Sequence, residues 1–164
     1  MIKPLKKLKV LNREKAQTMV EFALVFPMVL LITYGIIEFG RMVFIYTTVT
    51  SAAREAARYG AAAGDNAGGI PYYKDCDGIV AAAKRAAILN SITVDEIWYD
   101  HGPGTTPQVA NTCVLPFEIE FGDRIGVHVT ALFKPIIPIV GVGNVNFTAQ
   151  NARTILVNIQ ITYP

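Results

Sequence analysis

Histidine, tryptophan and cysteine are scarce in this chain: two His, one Trp and two Cys among 164 residues. His101 and His128 stand alone in separate segments. A lone histidine is usually structural or exposed, so neither is expected to bind metal or catalyse. There is no CxxC pair, no phosphate-cradling glycine loop and no Ser/His/Asp set with a local signature. Asp75-Cys76-Asp77-Gly78 has two acids and a glycine, as some calcium loops do, but lacks the remaining ligand positions of an EF-hand. No active site, metal or cofactor is expected, and the chain does not read as an enzyme. No internal repeat is present, and the length fits one globular domain.

Acids are also missing where bases are plentiful. The first 16 residues hold Lys3, Lys6, Lys7, Lys9, Arg13 and Lys15 against the single acid Glu14, a net +5. The whole chain is +2, so the remainder is −3. A basic block in front of an apolar run is retained on the cytoplasmic side of a membrane. No aromatic residue interleaves with that block, so nucleic acid is not expected as a partner.

Apolar residues make up 52% of the chain, with a mean hydropathy of +0.36, and the excess is concentrated near the N-terminus. Residues 22–37, FALVFPMVLLITYGII, carry no charge. Sixteen helical residues reach ~24 Å, short of a ~30 Å hydrocarbon core. The apolar flanks at 18–20 and 42–49 make up the difference. A cleaved secretory signal would end in a small-x-small pattern. This run ends in IIEFGRMVF, so the apolar segment is expected to be retained.

The helix continues beyond it. Ile45, Val49, Ala52, Ala56, Tyr59 and Ala63 recur at spacings of three and four, a one-sided stripe, with Arg54 and Arg58 on another side. Alanine favours helix through this stretch, and the Gly64-Asp65-Asn66-Ala67-Gly68-Gly69 turn signal ends it. A helix over 17–63 is ~70 Å long. Residues 78–90 predict a second, short amphipathic helix with Lys84 and Arg85 on its wet face. The pattern then changes to period two, and strands are expected at 93–99, 114–121, 124–133 and 144–161, with a hairpin turn at Gly122-Asp123. Residues 135–141, PIIPIVG, form an apolar, proline-bounded connection that either tucks under the sheet or meets a neighbour. The fold class is α+β: a long N-terminal transmembrane helix, a short second helix and a small antiparallel β-sheet head. The organisation is a basic cytoplasmic leader over 1–16, the long helix over 17–63 and an exported head over 64–164.

The junction Lys15-Ala16-Gln17-Thr18-Met19-Val20-Glu21-Phe22 resembles type IV pilin precursors, and more closely the TadE-like family of pilin-like proteins in tight-adherence pilus systems. The resemblance extends through Thr18-Met19-Val20-Glu21-Phe22-Ala23-Leu24-Val25-Phe26-Pro27, then Gly35-Ile36-Ile37-Glu38-Phe39-Gly40-Arg41, then the alanine-rich residues 52–61. It covers about 17–63; the head matches only in outline. The resemblance implies removal of the leader by a prepilin peptidase between Ala16 and Gln17, with Glu21 as the fifth residue of the mature chain. Ala16 departs from the glycine usual at that place. TadE-like resemblance favours a minor pilin-like component over the abundant filament subunit.

Four residues of the helix are candidates for assembly. Glu21 lies one turn above the new N-terminus, and a carboxylate beside hydrocarbon needs a partner. The α-amino group of Gln17, on the same or a neighbouring chain, would supply it; otherwise Glu21 marks the interface. Pro27 removes one backbone donor and either loosens the helix or is tolerated. Glu38 and Arg41, three apart, share a face, as a snorkelling pair or as a contact between subunits. In the head, Cys76 and Cys113 form either a disulfide, suited to an exported compartment, or two independent buried thiols.

The expected function is that of a structural subunit of a tight-adherence or type IV-type pilus, or of its assembly (priming) complex. Its partners would be the membrane, the prepilin peptidase and other pilin or pilin-like subunits, copies of itself included. Its expected location is the membrane, in a single pass with the N-terminus cytoplasmic, or a filament outside the cell. The alternative is a single-pass membrane-anchored binding module, which needs neither the cut nor Glu21.

Overall fold

The computed structural model describes residues 13–87, 92–115, 117–137 and 143–157. Helix α1 (Arg13–Gly60) is followed by a 3₁₀ turn (Tyr72–Lys74), helix α2 (Cys76–Ala86) and strands β1 (Ile92–Asp100), β2 (Gln108–Val109), β3 (Arg124–Phe133) and β4 (Val145–Thr154). The strands form one antiparallel sheet in the order β2-β1-β3-β4. This is the expected α+β class. The chain divides into two compact units, Met1–Gly40 and Arg41–Pro164, so α1 contributes residues to both. The basic leader expected at 1–16 lies outside the described residues up to position 12; α1 begins at Arg13, ahead of the boundary read at 17.

In the second unit, α1 is held by its small side chains. Ile45, Val49, Ala52, Ala53, Ala56, Ala57 and Ala61 are buried at helical spacing, against Ile79 and Ala83 of α2 and Tyr99, Ile125, Val127, Val129 and Phe133 of the sheet. Alanine in this stripe lets the helix backbone approach closely. At Gly60 even a Cβ would come within 2.6 Å of Ile125 Cδ1. The helix stops there, three residues before the expected end, and Ala63 is exposed. Gly64 follows with φ +85°, the turn that the glycine-rich run predicted.

Asp75 starts α2. Its Oδ1 accepts from Gly78 N at 2.9 Å, an N-cap, while Oδ2 accepts from Tyr59 Oη and Asn66 Nδ2, each at 2.7 Å. These three bonds give the Asp-rich stretch at 75–78 a capping role. Ile79, Ala82 and Ala83 bury one face of α2, and Lys84 and Arg85 are exposed on its last turn.

Strand β3 lies at the centre of the sheet, with ten residues in unbroken register with β4. Its odd-numbered residues from Ile125 to Phe133 are all buried. On the opposite face Gly126 leaves room for Trp98, whose ring lies 2.1 Å from where a Cβ would be. The pairing with β1 slips between Val94 and Glu96, so Asp95 is the extra residue of a bulge.

The strand expected at 114–121 is absent from the described residues there; the turn expected at Gly122-Asp123 does form, with Asp123 N donating to the Glu120 carbonyl at 3.2 Å and Gly122 at φ +103°, but with no strand before it the turn closes no hairpin onto β3. Its alternation is nevertheless real: Leu115, Phe117 and Ile119 pack against the core while Val114, Glu118 and Glu120 are exposed. The segment lies over the core's edge without joining the ladder. Pro116 has no N–H for a ladder, and Cys113 just before has φ +53°, which is incompatible with a strand entry. The strand that does extend the sheet on that side is β2, which pairs Val109 with Trp98 and Gln108 with Tyr99. In the apolar connection at 135–141, Ile136 and Ile137 are exposed; residues 138–141 lie outside the described residues.

Candidate functional site

The first unit has little core of its own. Thirteen large apolar side chains between residues 19 and 39 are each more than half exposed, among them Leu24 at 71% and Leu31 at 67%. They point in all directions around the helix. A helix apolar on every side is a membrane span or is covered by other chains, since water would oppose each exposed side chain by about 1.5–3 kcal/mol relative to burial. The stretch Gln17–Gly60 contains a window long and apolar enough to cross a membrane by length and composition, with none of that window buried within the chain. Phe22 and Phe26, one turn apart, stack at 5.3 Å.

The polar residues of the segment have helical-neighbour partners. Gln17 Nε2 donates to Glu21 Oε1 at 3.1 Å, so the residue after the expected cut and the glutamate one turn above it meet through side chains. Ala16 and the Ala16–Gln17 peptide bond lie in the first turn of α1. Pro27 sits within α1 without ending it. Glu38 is buried, at 8% exposure, and accepts from Tyr34 Oη at 2.9 Å. Tyr34 was not read from the sequence as a partner, although its four-residue spacing from Glu38 is the signal that would have found it. In the second unit, Arg41 donates to the Lys134 carbonyl at 3.3 Å and its guanidinium lies 5.4 Å from the Phe133 ring centroid. Nothing local in the sequence announces that pairing, because 93 residues separate its ends.

The head is fastened by a small number of polar links. Cys76 and Cys113 are joined in a disulfide that ties the first turn of α2 to the loop after β2. Asp100 is fully buried and receives Arg124 through Nε at 2.8 Å and Nη2 at 2.6 Å, plus Gly102 N at 3.0 Å. Burial pushes the Asp100 carboxyl up, but those donors outweigh it and hold it below its ordinary value. Next to it, His101 Nδ1 is 2.9 Å from Asp123 Oδ1 and the imidazole stacks on Phe117 at 4.0 Å. His128 Nδ1 lies 3.5 Å from Asp95 Oδ2. Asn66 and Tyr59 lower the Asp75 carboxyl, and the bond to Asp75 pushes the Tyr59 phenol up to about 12. Among the described residues no group of three or more His, Cys, Asp or Glu is placed to hold a metal ion.

Residues 16–58 match the model of the TadE-like protein family. The match covers most of α1 and none of the sheet. No curated protein and no solved structure matches the chain.

Proposed function

We propose that this chain, TadE-like over residues 16–58, is a structural subunit of a tight-adherence pilus or of the complex that primes its assembly. The carrying observation is the α1 segment between residues 19 and 39, apolar all round and left uncovered by its own chain. In this reading it lies in the membrane in a single pass, with the basic leader cytoplasmic and the sheet-bearing head exported. A prepilin peptidase removes residues 1–16, and the helix then packs among other pilin-like helices. The chain is the peptidase's substrate and contributes no catalysis.

Glu21 is the residue on which assembly turns. In the uncut chain its carboxylate is held by the Gln17 amide. Cutting before Gln17 creates an α-amino group on that same residue, a cation in place of a neutral donor. A charge at a helix centre in the membrane costs on the order of 2.5–3.5 kcal/mol, and less near the interface. A neighbouring chain's α-amino group offsets that only when the helices are in register, which makes Glu21 a gauge of depth. Glu21→Ala is therefore expected to leave insertion and the head intact and to abolish incorporation. The test replaces the native protein with Glu21→Ala, verifies membrane levels by blot and counts surface pili. Normal piliation at normal membrane levels defeats the reading.

A further inference from the structure

The second unit exposes large apolar side chains at several places, Val114 and Phe121 among them, and four of them, Leu132, Ile136, Ile137 and Val145, lie together at one end of the sheet. Strand β3 ends and β4 begins where Phe133 pairs with Val145 and Leu132 with Asn146. The connection leaves there through Lys134, Pro135, Ile136 and Ile137. Ile136 is 62% exposed and Ile137 54%, and Leu132 and Val145 beside them are also exposed. Two adjacent isoleucines outside a sheet, with a free choice of polar residues for a turn, are not what a water-facing connection uses.

The same end is tied to the start of this unit's stretch of α1. Arg41 donates to the Lys134 carbonyl and its guanidinium lies over Phe133, and Tyr46 meets Phe147 edge-on at 6.5 Å. Around Arg41 the outward side of α1 is still apolar: Val43, Phe44 and Tyr46 are exposed. Along the chain, residues 18–37 alone reach ~30 Å as a helix, enough for a hydrocarbon core, and Arg41 follows them by four residues, about one helical turn. Basic and tyrosine side chains at the end of an apolar span mark the level of lipid headgroups. The β3–β4 tip is bonded to the residue at that level, and Lys134 adds an exposed cation there.

We propose that the β3–β4 tip, centred on Ile136 and Ile137, is a second lipid-contacting element, entering the headgroup and upper acyl region of the leaflet on the head's side. Its ligand is a phospholipid surface: isoleucine side chains take the acyl boundary while Lys134 meets phosphate and Arg41 ties the tip to α1. The proposal rests on the membrane insertion of α1 in the reading above, not on the pilus role. Its consequence is that the subunit waiting in the membrane is held at two points, and that leaving the bilayer for a filament must strip both.

The test uses the unaltered full-length chain in nanodiscs of phosphatidylcholine and phosphatidylglycerol doped with a lipid bearing a photoactivatable diazirine on its acyl chain. Adducts are mapped by mass spectrometry. Lipid adducts are expected on peptides from 22–37 and 132–137, and none on 153–157. That control segment lies at the opposite end of the sheet and carries its own exposed apolar residue, Leu156. An Ile136→Asp/Ile137→Asp variant is expected to lose the 132–137 adducts, keep those at 22–37 and keep the Trp98 emission of the folded sheet. Adducts on 22–37 alone overturn the proposal and leave membrane insertion standing; absence from 22–37 overturns both. Cross-links from Lys134 to a second copy, formed in a parallel sample with a bifunctional amine-reactive reagent, together with no lipid adduct on 132–137, overturn it in favour of a contact between subunits.

Discussion

Arg124→Leu isolates the contribution of one buried charge pair to the sheet. Asp100, the last residue of β1, is 1% exposed and faces Arg124, the first of β3. Two short guanidinium–carboxylate bonds and one backbone donor surround the carboxylate. Removing the guanidinium leaves a charge stranded in the core, which costs roughly 3–5 kcal/mol when one partner of a buried pair is deleted. The Arg124 side chain is 23% exposed, so water reaches the vacated space and the lower end, about 3 kcal/mol, is expected. The pH dependence carries a sign that simple loss of packing would not. In the native protein the Asp100 carboxyl lies below its ordinary 3.8. The pair's contribution is then complete above that value and is lost as pH falls through the lower, folded pKa. Without Arg124 burial dominates and the folded pKa rises above the unfolded one, so the variant gains stability relative to the native protein as pH drops from 7 toward 4.5. Urea unfolding of the full chain in detergent micelles, followed by the emission of Trp98 on β1, measures both quantities. Arg124→Leu combined with Asp100→Leu is expected to recover most of the loss, because an apolar pair replaces a buried ionic one at little net cost. A loss below about 1 kcal/mol, the scale of a surface pair, refutes the reasoning. So does a variant whose stability follows the native pH profile.

Replacing Cys76 and Cys113 by serine opens a loop with a sequence separation of 37 and is expected to cost roughly 4 kcal/mol in the same unfolding assay. In the native protein a non-reducing gel should show a faster band and no free thiol, and two titratable thiols would rule out the bridge. Asp75→Ala removes the α2 cap together with the acceptor for Tyr59 and Asn66, and is expected to cost about 1–2 kcal/mol. The Tyr59 phenol is raised to about 12, so its contribution is present below pH 10 and lost as pH rises through 12. Ultraviolet titration of Asp75→Ala should therefore show one tyrosine ionising earlier than in the native chain; an unchanged curve counts against the Tyr59–Asp75 bond.

What the sequence determined by itself was whatever depends on neighbours three, four or two residues away. The charge-free run at 22–37, the alanine stripe from 45 to 57 and the alternation in β1, β3 and β4 are each local records of which sides meet water. They were enough for α1, α2 and three of the four strands, and for the TadE-like segment. The same local rule misread 114–121, because one-sided packing against a core produces alternation whether or not a backbone ladder forms. Proline and a positive-φ residue there left the ladder to two residues, Gln108 and Val109, too few to have a period. Only the tertiary structure decided which distant groups meet. The order β2-β1-β3-β4 brings Asp100 to Arg124, the turn after β2 brings Cys113 to Cys76, and the end of the β3–β4 pair brings Lys134 to Arg41. The physical reason is that periodicity reports the environment of a side chain but not its partner. Partners 24, 37 and 93 residues apart are selected when the chain closes those loops around one core.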